Sequence, residues 1–416
     1  MQEISLKRGK DRRLRQGHLW VFSNEIETSL KEVEPGSLVD VFDANGKFRG
    51  RGYVNPHSLI AVRLLTNRTY DIDVHFFKRR LDAALQYRRH IYPGRNTFRL
   101  VHGAGDFLPG LIVDKYDDHI VVQANTLGMD RLLPMIVKAL DELLAPSVIV
   151  ARNDSRAREP EDLPCEKRLL KGKPDPDLTV KVGDLRLKVD VLNGQKTGLF
   201  LDQAENYRSL SHLGRFDRVL DCFCYSGAWG LHASLYNARE VLGVDSSAFG
   251  LEKALENAGL NNLTNCHFSE SDVFDELADM DRAKEKFDLI ILDPPAFAKS
   301  RNNFTQALRA YKQINLRAMR MLNPGGILVT CSCSYRVTRE GFLDILHRAA
   351  SDAGRFFRLL DYRTQARDHT ILLSVSETQY LKCVLLQVAQ AHGLKSSETS
   401  CPYPARKLIC ERGYRE

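Results

Sequence analysis

The chain has 416 residues, 43% of them apolar and 27% charged, with a net charge of +7. That length and mix predict a globular protein of two or three domains, not a disordered one. No apolar run approaches the roughly 18 residues that span a bilayer, and the basic N-terminus lacks an apolar signal core. A cytoplasmic protein without a membrane partner is therefore expected, and its nine cysteines read as thiols.

Charge is unevenly spread. Residues 1–100 hold 19 Lys/Arg against 11 Asp/Glu, so the basic excess lies in the first quarter of the chain. It is densest at Lys7-Arg8-Gly9-Lys10-Asp11-Arg12-Arg13 and at Lys78-Arg79-Arg80. Alone, either run is most simply a solvated face; beside a nucleic-acid-modifying domain, Lys7, Lys10, Arg12 and Arg13 become candidate polyanion contacts.

In chain order, Ser37–Phe42 alternates, Asp43-Ala44-Asn45-Gly46 turns, and strands resume at Phe48–Val54 and Leu59–Leu65. A small basic β-barrel over 1–70 is the simplest architecture. A broad apolar stripe through Phe76, Phe77, Leu81, Ala84 and Leu85 predicts a helix near 73–92. Strands near 98–101, 111–116 and 119–124, a helix near 129–144 and a strand at 147–151 predict a small central α+β domain, 71–178. Its charged, proline-bearing end, 152–177, reads as a linker. Val180–Val191 reads as a hairpin turning at Gly183-Asp184.

From about residue 216 strand and helix alternate, with strands at 218–222, 240–244, 264–268, 287–292 and 326–332. The pattern predicts an α/β fold, a Rossmann-like doubly wound parallel sheet within 179–390. Runs near 369–375 and 380–388 are expected to pair antiparallel at one edge, and 391–416 to form a poorly ordered tail.

Such a sheet binds its ligand beyond the carboxyl ends of the strands. Asp221, Asp245 and Asp272 follow three successive strands, and the first turn carries Phe223, Ser226 and Gly227. Asp245 stands 24 residues after Asp221, the spacing of an acid that holds ribose hydroxyls; Ser246 and Val273 flank the second and third acids. The turn lacks G-x-G-x-x-G, so its bulky residues suit a cofactor without phosphate, S-adenosylmethionine, better than a dinucleotide.

The fourth strand ends in Asp293-Pro294-Pro295-Ala296-Phe297 and the fifth in Thr330-Cys331-Ser332-Cys333-Ser334. A thiolate that adds to C6 of a pyrimidine makes C5 nucleophilic, so Cys333 and Asp293 together suit methyl transfer to a base. Buried strand cysteines are the plainer reading of Cys331 and Cys333 taken singly, and Cys331 is the alternative nucleophile. Cys222/Cys224 with Cys331/Cys333 also form two C-x-C pairs, but structural zinc sites use longer spacings, so no metal is expected.

With Leu192-Asn193-Gly194-Gln195-Lys196-Thr197-Gly198-Leu199-Phe200-Leu201-Asp202-Gln203 added to the Asp221–Gly227 turn, Asp293–Phe297 and Ser332-Cys333-Ser334, the chain resembles the RlmI-type large-subunit (23S) rRNA cytosine-C5 methyltransferases. Gly17–Ile26 and Gly105–Asp114 resemble that family's PUA-like and middle domains. The resemblance implies a PUA-like RNA-binding barrel and a class I methyltransferase domain, with Thr197, Phe200, Asp202 and Gln203 lining the cofactor site. It also implies rRNA, naked or in a ribosomal precursor, as partner; a homodimer is a further option. Exocyclic-amine methylation without a thiol, and a non-catalytic RNA-binding assembly factor, are the competing readings.

Overall fold

The motif Gly17–Ile26 folds around one carboxylate. Glu25 accepts a hydrogen bond from the Phe22 amide at 2.8 Å, and both its oxygens accept from Arg13 Nη2 at 2.9 Å, while the Arg13 guanidinium lies 4.4 Å over the Phe22 ring. The structure, a computed structural model, describes residues 1–297 and 303–390, so the expected tail at 391–416 lies outside the described residues. These residues form two compact units.

The first unit comprises Met1–Val182, Leu187–Ala204 and Ala366–Gln379. It opens with a five-stranded sheet in the order Gln2–Ser5, Leu38–Phe42, Phe48–Val54, Val62–Thr66, Trp20–Val21. The predicted Leu38–Val54 hairpin is present; the short strands Gln2–Ser5 and Trp20–Val21 were too brief to show a period. Ile4, Leu6, Val39, Val41, Val54, Val62 and Leu64 form its core.

A second five-stranded sheet runs Glu166–Lys171, Val148–Asn153, His119–Ala124, Leu111–Tyr116, Thr97–His102. Helices Val74–Ile91 and Leu127–Leu144 contribute their buried faces to its core, and Asp73 caps the first by accepting from the Phe76 amide at 2.7 Å. The expected linker at 152–177 is therefore part of the fold: Arg156–Glu161 is a 3₁₀ turn and Glu166–Lys171 an antiparallel edge strand. Its charged sequence, Glu-Lys-Arg-Leu-Leu-Lys, protects an edge and hides the strand from a pattern search.

Buried charge holds this unit together. Asp114 is fully buried and takes a bidentate pair from Arg99 at 2.8 Å and the Thr197 hydroxyl at 2.5 Å. Asp368, returning from far along the chain, accepts from the Arg99 amide at 2.9 Å, and its carbonyl takes the Arg88 guanidinium at 2.5 Å. These bonds correct the expectation for 369–375. That run is not a strand of the α/β sheet; Thr370 bonds Asp106 at 3.1 Å and Ser374 bonds the Gly17 carbonyl at 2.9 Å, all within the first unit.

The second unit comprises Gly183–Arg186, Glu205–Gln365 and the chain from Tyr380. Its strands are β1 (Phe216–Cys222), β2 (Ala238–Asp245), β3 (Cys266–Glu270), β4 (Phe287–Leu292), β5 (Leu322–Ser332), β6 (Phe356–Arg363) and β7 (Lys382–Ala389). Between them lie α1 (Ala228–Leu235), α2 (Ala248–Leu260), α3 (Val273–Arg282), α4 (Phe304–Met321) and α5 (Arg339–Asp352). The order is β3-β2-β1-β4-β5-β7-β6, parallel from β3 to β5 and antiparallel across β5-β7-β6. Strand β7 matches the expected 380–388 run, but its outer partner is β6. A register shift between Leu359 and Asp361 and half-exposed Leu359 and Leu360 explain why β6 shows no clean alternation. Among the described residues no helix is long and apolar enough to cross a membrane.

Removing Arg99 would strand the Asp114 charge in a dry interior. We expect Arg99→Met to cost about 3–5 kcal/mol in urea unfolding. Arg99→Met/Asp114→Leu should recover more than half of that loss; equal losses in both variants would show that the pair contributes no specific stabilisation.

Candidate active site

Strand β1 runs into a turn, Phe223–Gly227, in which Phe223 and Tyr225 adopt φ of 62° and 46° and Gly227 one of 78°. Left-handed backbone costs an aromatic residue on the order of 1–2 kcal/mol, so neighbours must impose it. Asp245, at the end of β2, does so: Oδ2 accepts from the Tyr225 amide and Oδ1 from the Ser247 amide, both at 2.9 Å. Asn257 on α2 donates to the Ser226 carbonyl at 3.1 Å. Gly250 permits the contact, since a Cβ there would lie 2.7 Å from the Tyr225 ring. Ser226 is buried and Ser246 exposed.

Asp221 lies fully buried beneath this turn. Its Oδ2 accepts from the Gly230 amide in the first turn of α1 at 2.8 Å, and its Oδ1 is buried without a partner. Burial pushes its carboxyl up to about 8; the Gly230 bond opposes this, and the charges of Asp293 and Asp245 add to it. Asp272 follows β3 as the exposed N-cap of α3: Oδ1 accepts from the Phe274 amide at 2.7 Å and the Asp275 amide at 3.3 Å, and Val273 is buried behind it.

Beyond β4 and β5 lie the residues with reactive chemistry. The Trp229 indole donates to Asp293 Oδ2 at 3.1 Å, which fixes that carboxylate. Cys333 Sγ lies 3.9 Å from the Pro294 carbonyl oxygen, so the ends of these neighbouring strands meet. Cys331 is fully buried, opposite Cys383 of β7. Phe223, Phe274 and Phe297 form an aromatic group with centroids 5.7–6.4 Å apart. Strand β4 separates Cys222 on β1 from Cys331 on β5, which removes the zinc arrangement.

The structure thus gathers Asp221, Phe223, Ser226, Gly227, Asp245, Ser246, Asp272, Val273, Asp293 and Cys333 at the strand ends of the second unit. Thr197, Phe200, Asp202 and Gln203 fall in the first unit. There the Thr197 hydroxyl is engaged with Asp114 and with the Tyr116 hydroxyl at 3.0 Å. Lys196 bonds buried Asp202 at 2.7 Å and sits 4.3 Å over the Phe200 ring. In the basic run, Lys7, Lys10 and Arg12 are exposed, whereas Arg13 is committed to Glu25.

These residues fit S-adenosylmethionine and do not fit a dinucleotide. The Gly230 amide in the first turn of α1, part of the helix start where a pyrophosphate would settle, is already taken by Asp221. The charges of Asp293 and Asp245 repel charge on Asp221, whose buried Oδ1 lacks a donor. A cationic cofactor relieves that repulsion; an anionic one increases it.

Comparison with known proteins agrees. A PUA-like domain model matches residues 4–67, and the S-adenosylmethionine-dependent methyltransferase model matches residues 135–368. The chain is 38% identical to the ribosomal RNA large subunit methyltransferase I of Tolumonas auensis over 92% of its length and 98% of that protein. It is 36% identical to the enzyme of that name from Erwinia tasmaniensis, over 91% and 97%. Among solved structures, one described as a SAM-dependent methyltransferase from Streptococcus mutans superposes with a TM-score of 0.80 at 18% identity, covering 93% of this chain and all of that one. A second, a methyltransferase complexed with SAH, gives 0.82 at 19% over the same shares. At these identities they show the fold.

Asp221 makes stability depend on pH. Between about pH 4 and 8 the unfolded chain has released a proton that native Asp221 retains, so rising pH disfavours the native state across that window. In ligand-free protein, Asp221→Asn should reduce this fall by up to about 1.4 kcal/mol per pH unit, read from thermal melts. Parallel curves for wild type and variant would refute the assignment.

Proposed function

We propose that this chain, which belongs to the ribosomal RNA large subunit methyltransferase I family of S-adenosylmethionine-dependent enzymes, methylates cytosine C5 in large-subunit (23S) rRNA through a covalent Cys333 adduct. The proposed place of work is the cytoplasm. The observation that carries the reading is the position of Cys333 Sγ, 3.9 Å from the Pro294 carbonyl beside Asp293. Of the described cysteines in the second unit, only Cys333 is not buried. Burial raises the thiol pKa of Cys222, Cys224 and Cys266, which keeps them protonated and inert.

Bound S-adenosylmethionine supplies a methyl group activated by its sulfonium centre. Asp245, Asp272 and the Phe223–Gly227 turn would hold it, and the bound positive charge would favour release of the proton that Asp221 keeps in the free protein. The Cys333 thiolate adds to cytosine C6, and the electron pair displaced onto the ring makes C5 nucleophilic. Asp293, oriented by Trp229, would accept from the exocyclic amine and favour the proton that N3 gains as the adduct forms. Once C5 carries the methyl, with the neutral thioether left behind, the C5 proton leaves to a base, the sulfur departs from C6 and N3 gives back its proton, restoring the aromatic ring and the thiolate.

Incubation with labelled cofactor and deproteinised large-subunit rRNA, followed by nucleoside analysis, should yield 5-methylcytidine; label in an exocyclic amine would overturn the proposed site of methylation. Cys333→Ser should abolish turnover while cofactor binding persists, and Cys331→Ser should remain active. RNA containing 5-fluorocytidine should trap a denaturation-resistant adduct on Cys333. An active Cys333→Ser variant would end the covalent reading.

The basic run gives a second test. Lys10→Ala/Arg12→Ala should weaken RNA binding and make the log–log salt dependence shallower by about 0.7–0.9 per lost phosphate contact, with cofactor affinity unchanged. Arg13→Ala should instead lower stability, because that guanidinium holds Glu25 and covers Phe22. An unchanged salt slope in the double variant would make the run a solvated face.

A further inference from the structure

Strand β7 begins with a lysine that the reaction as described does not use. Lys382 lies between apolar Leu381 and buried Cys383, and only 5% of it is exposed. In the antiparallel pairing of β7 with β5 it stands opposite Ser332, the residue before Cys333. Its ammonium donates at 2.7 Å to the carbonyl of Ser334, the residue after Cys333, and at 2.9 Å to the carbonyl of Tyr380. A buried cation thus bonds the backbone just after the proposed nucleophile, from a residue that pairs with the one just before it.

We propose that Lys382 is a positioning residue that holds the Cys333 sulfur as a thiolate and keeps it at the rim of the sheet. The inference rests on the covalent reading above. Dehydrating an ammonium is expensive, and two carbonyl dipoles offset only part of that cost. Among the described residues its hydrogen bonds go to those two carbonyls and to no carboxylate. Burial pulls its pKa down to about 8, and the charge that opposes this pull is Cys333. A thiolate is the counter-ion that makes the buried cation tenable, and the cation in turn raises the thiolate fraction.

Among the described residues, two further groups near the sulfur do not supply this charge. Tyr311 on α4 bonds the Ser334 hydroxyl at 2.9 Å, and Asp293 precedes Pro294 at the end of β4; one is neutral and the other negative. Arg336, the cation nearest in sequence, is exposed.

The test is the alkylation rate of Cys333 by iodoacetamide at neutral pH, quantified by peptide mapping in the full chain. Lys382→Gln, which keeps a donor for the carbonyls but no charge, should slow it about tenfold, the effect of one pKa unit on a mostly protonated thiol. Lys382→Arg should restore it to within a few-fold of wild type, and Arg336→Gln should leave it unchanged. A purely structural lysine would lower the melting temperature without this charge-dependent pattern. As a measurement that needs no lysine variant, wild type should show a thiolate ultraviolet absorbance at neutral pH that is absent from Cys333→Ser. No such absorbance, or equal alkylation rates in wild type and Lys382→Gln, overturns the inference. Failure of the underlying reading looks different: Cys333→Ser would then turn over rRNA whatever the alkylation rates.

Discussion

The whole candidate site depends on two carboxylates that bind backbone before they meet any ligand. Asp245 grips the Tyr225 and Ser247 amides, and Asp221 grips the Gly230 amide. Without Asp245 the left-handed Tyr225 backbone would lose the partner of its amide, and without Asp221 the Gly230 amide in the first turn of α1 would lose its own. The charge of Asp245 is then a property of the scaffold. It selects against phosphate-bearing cofactors and favours a cation, so the same atoms that shape the turn set its chemical preference.

The reacting side has a parallel arrangement. Trp229 fixes Asp293, and β5 carries Cys333 just beyond its last paired residue, where the sulfur leaves the dry interior that silences Cys222, Cys224 and Cys266. Two residues along the chain separate a buried thiol from a partly exposed one. The period of a strand makes that distinction sharp, because Cys331 and Cys333 share a face but not a depth.

Much of this was legible in the sequence, for identifiable reasons. Strands β1, β2, β4 and β5 are apolar runs ended by an acid or by small residues, and a parallel sheet covered on both faces produces that signal. Strand β6 and the edge strand Glu166–Lys171 escaped notice because edges carry charge and irregular register. The run 369–375 misled because Asp368 and Thr370, polar residues with partners more than 250 positions away, decide its place. Lys382 and the bond from Trp229 to Asp293 were missed for a related reason: a lone lysine in an apolar strand and an indole in a helix acquire meaning only from what stands opposite.

The return of Ala366–Gln379 to the first unit bears on how the chain is made. Asp368 meets Arg88 and Arg99 across more than 260 residues, so the ion network of the N-terminal half waits for a segment near the end. A ribosome adding about 5–20 residues per second needs on the order of ten to thirty seconds to pass from Ala204 to Gln379. During that interval Arg88 and Arg99 lack their last partner, and the sheets around them exist only in an unfinished form. An enzyme that works on ribosomal RNA would thus complete its own first unit only after the ribosome has made most of the second.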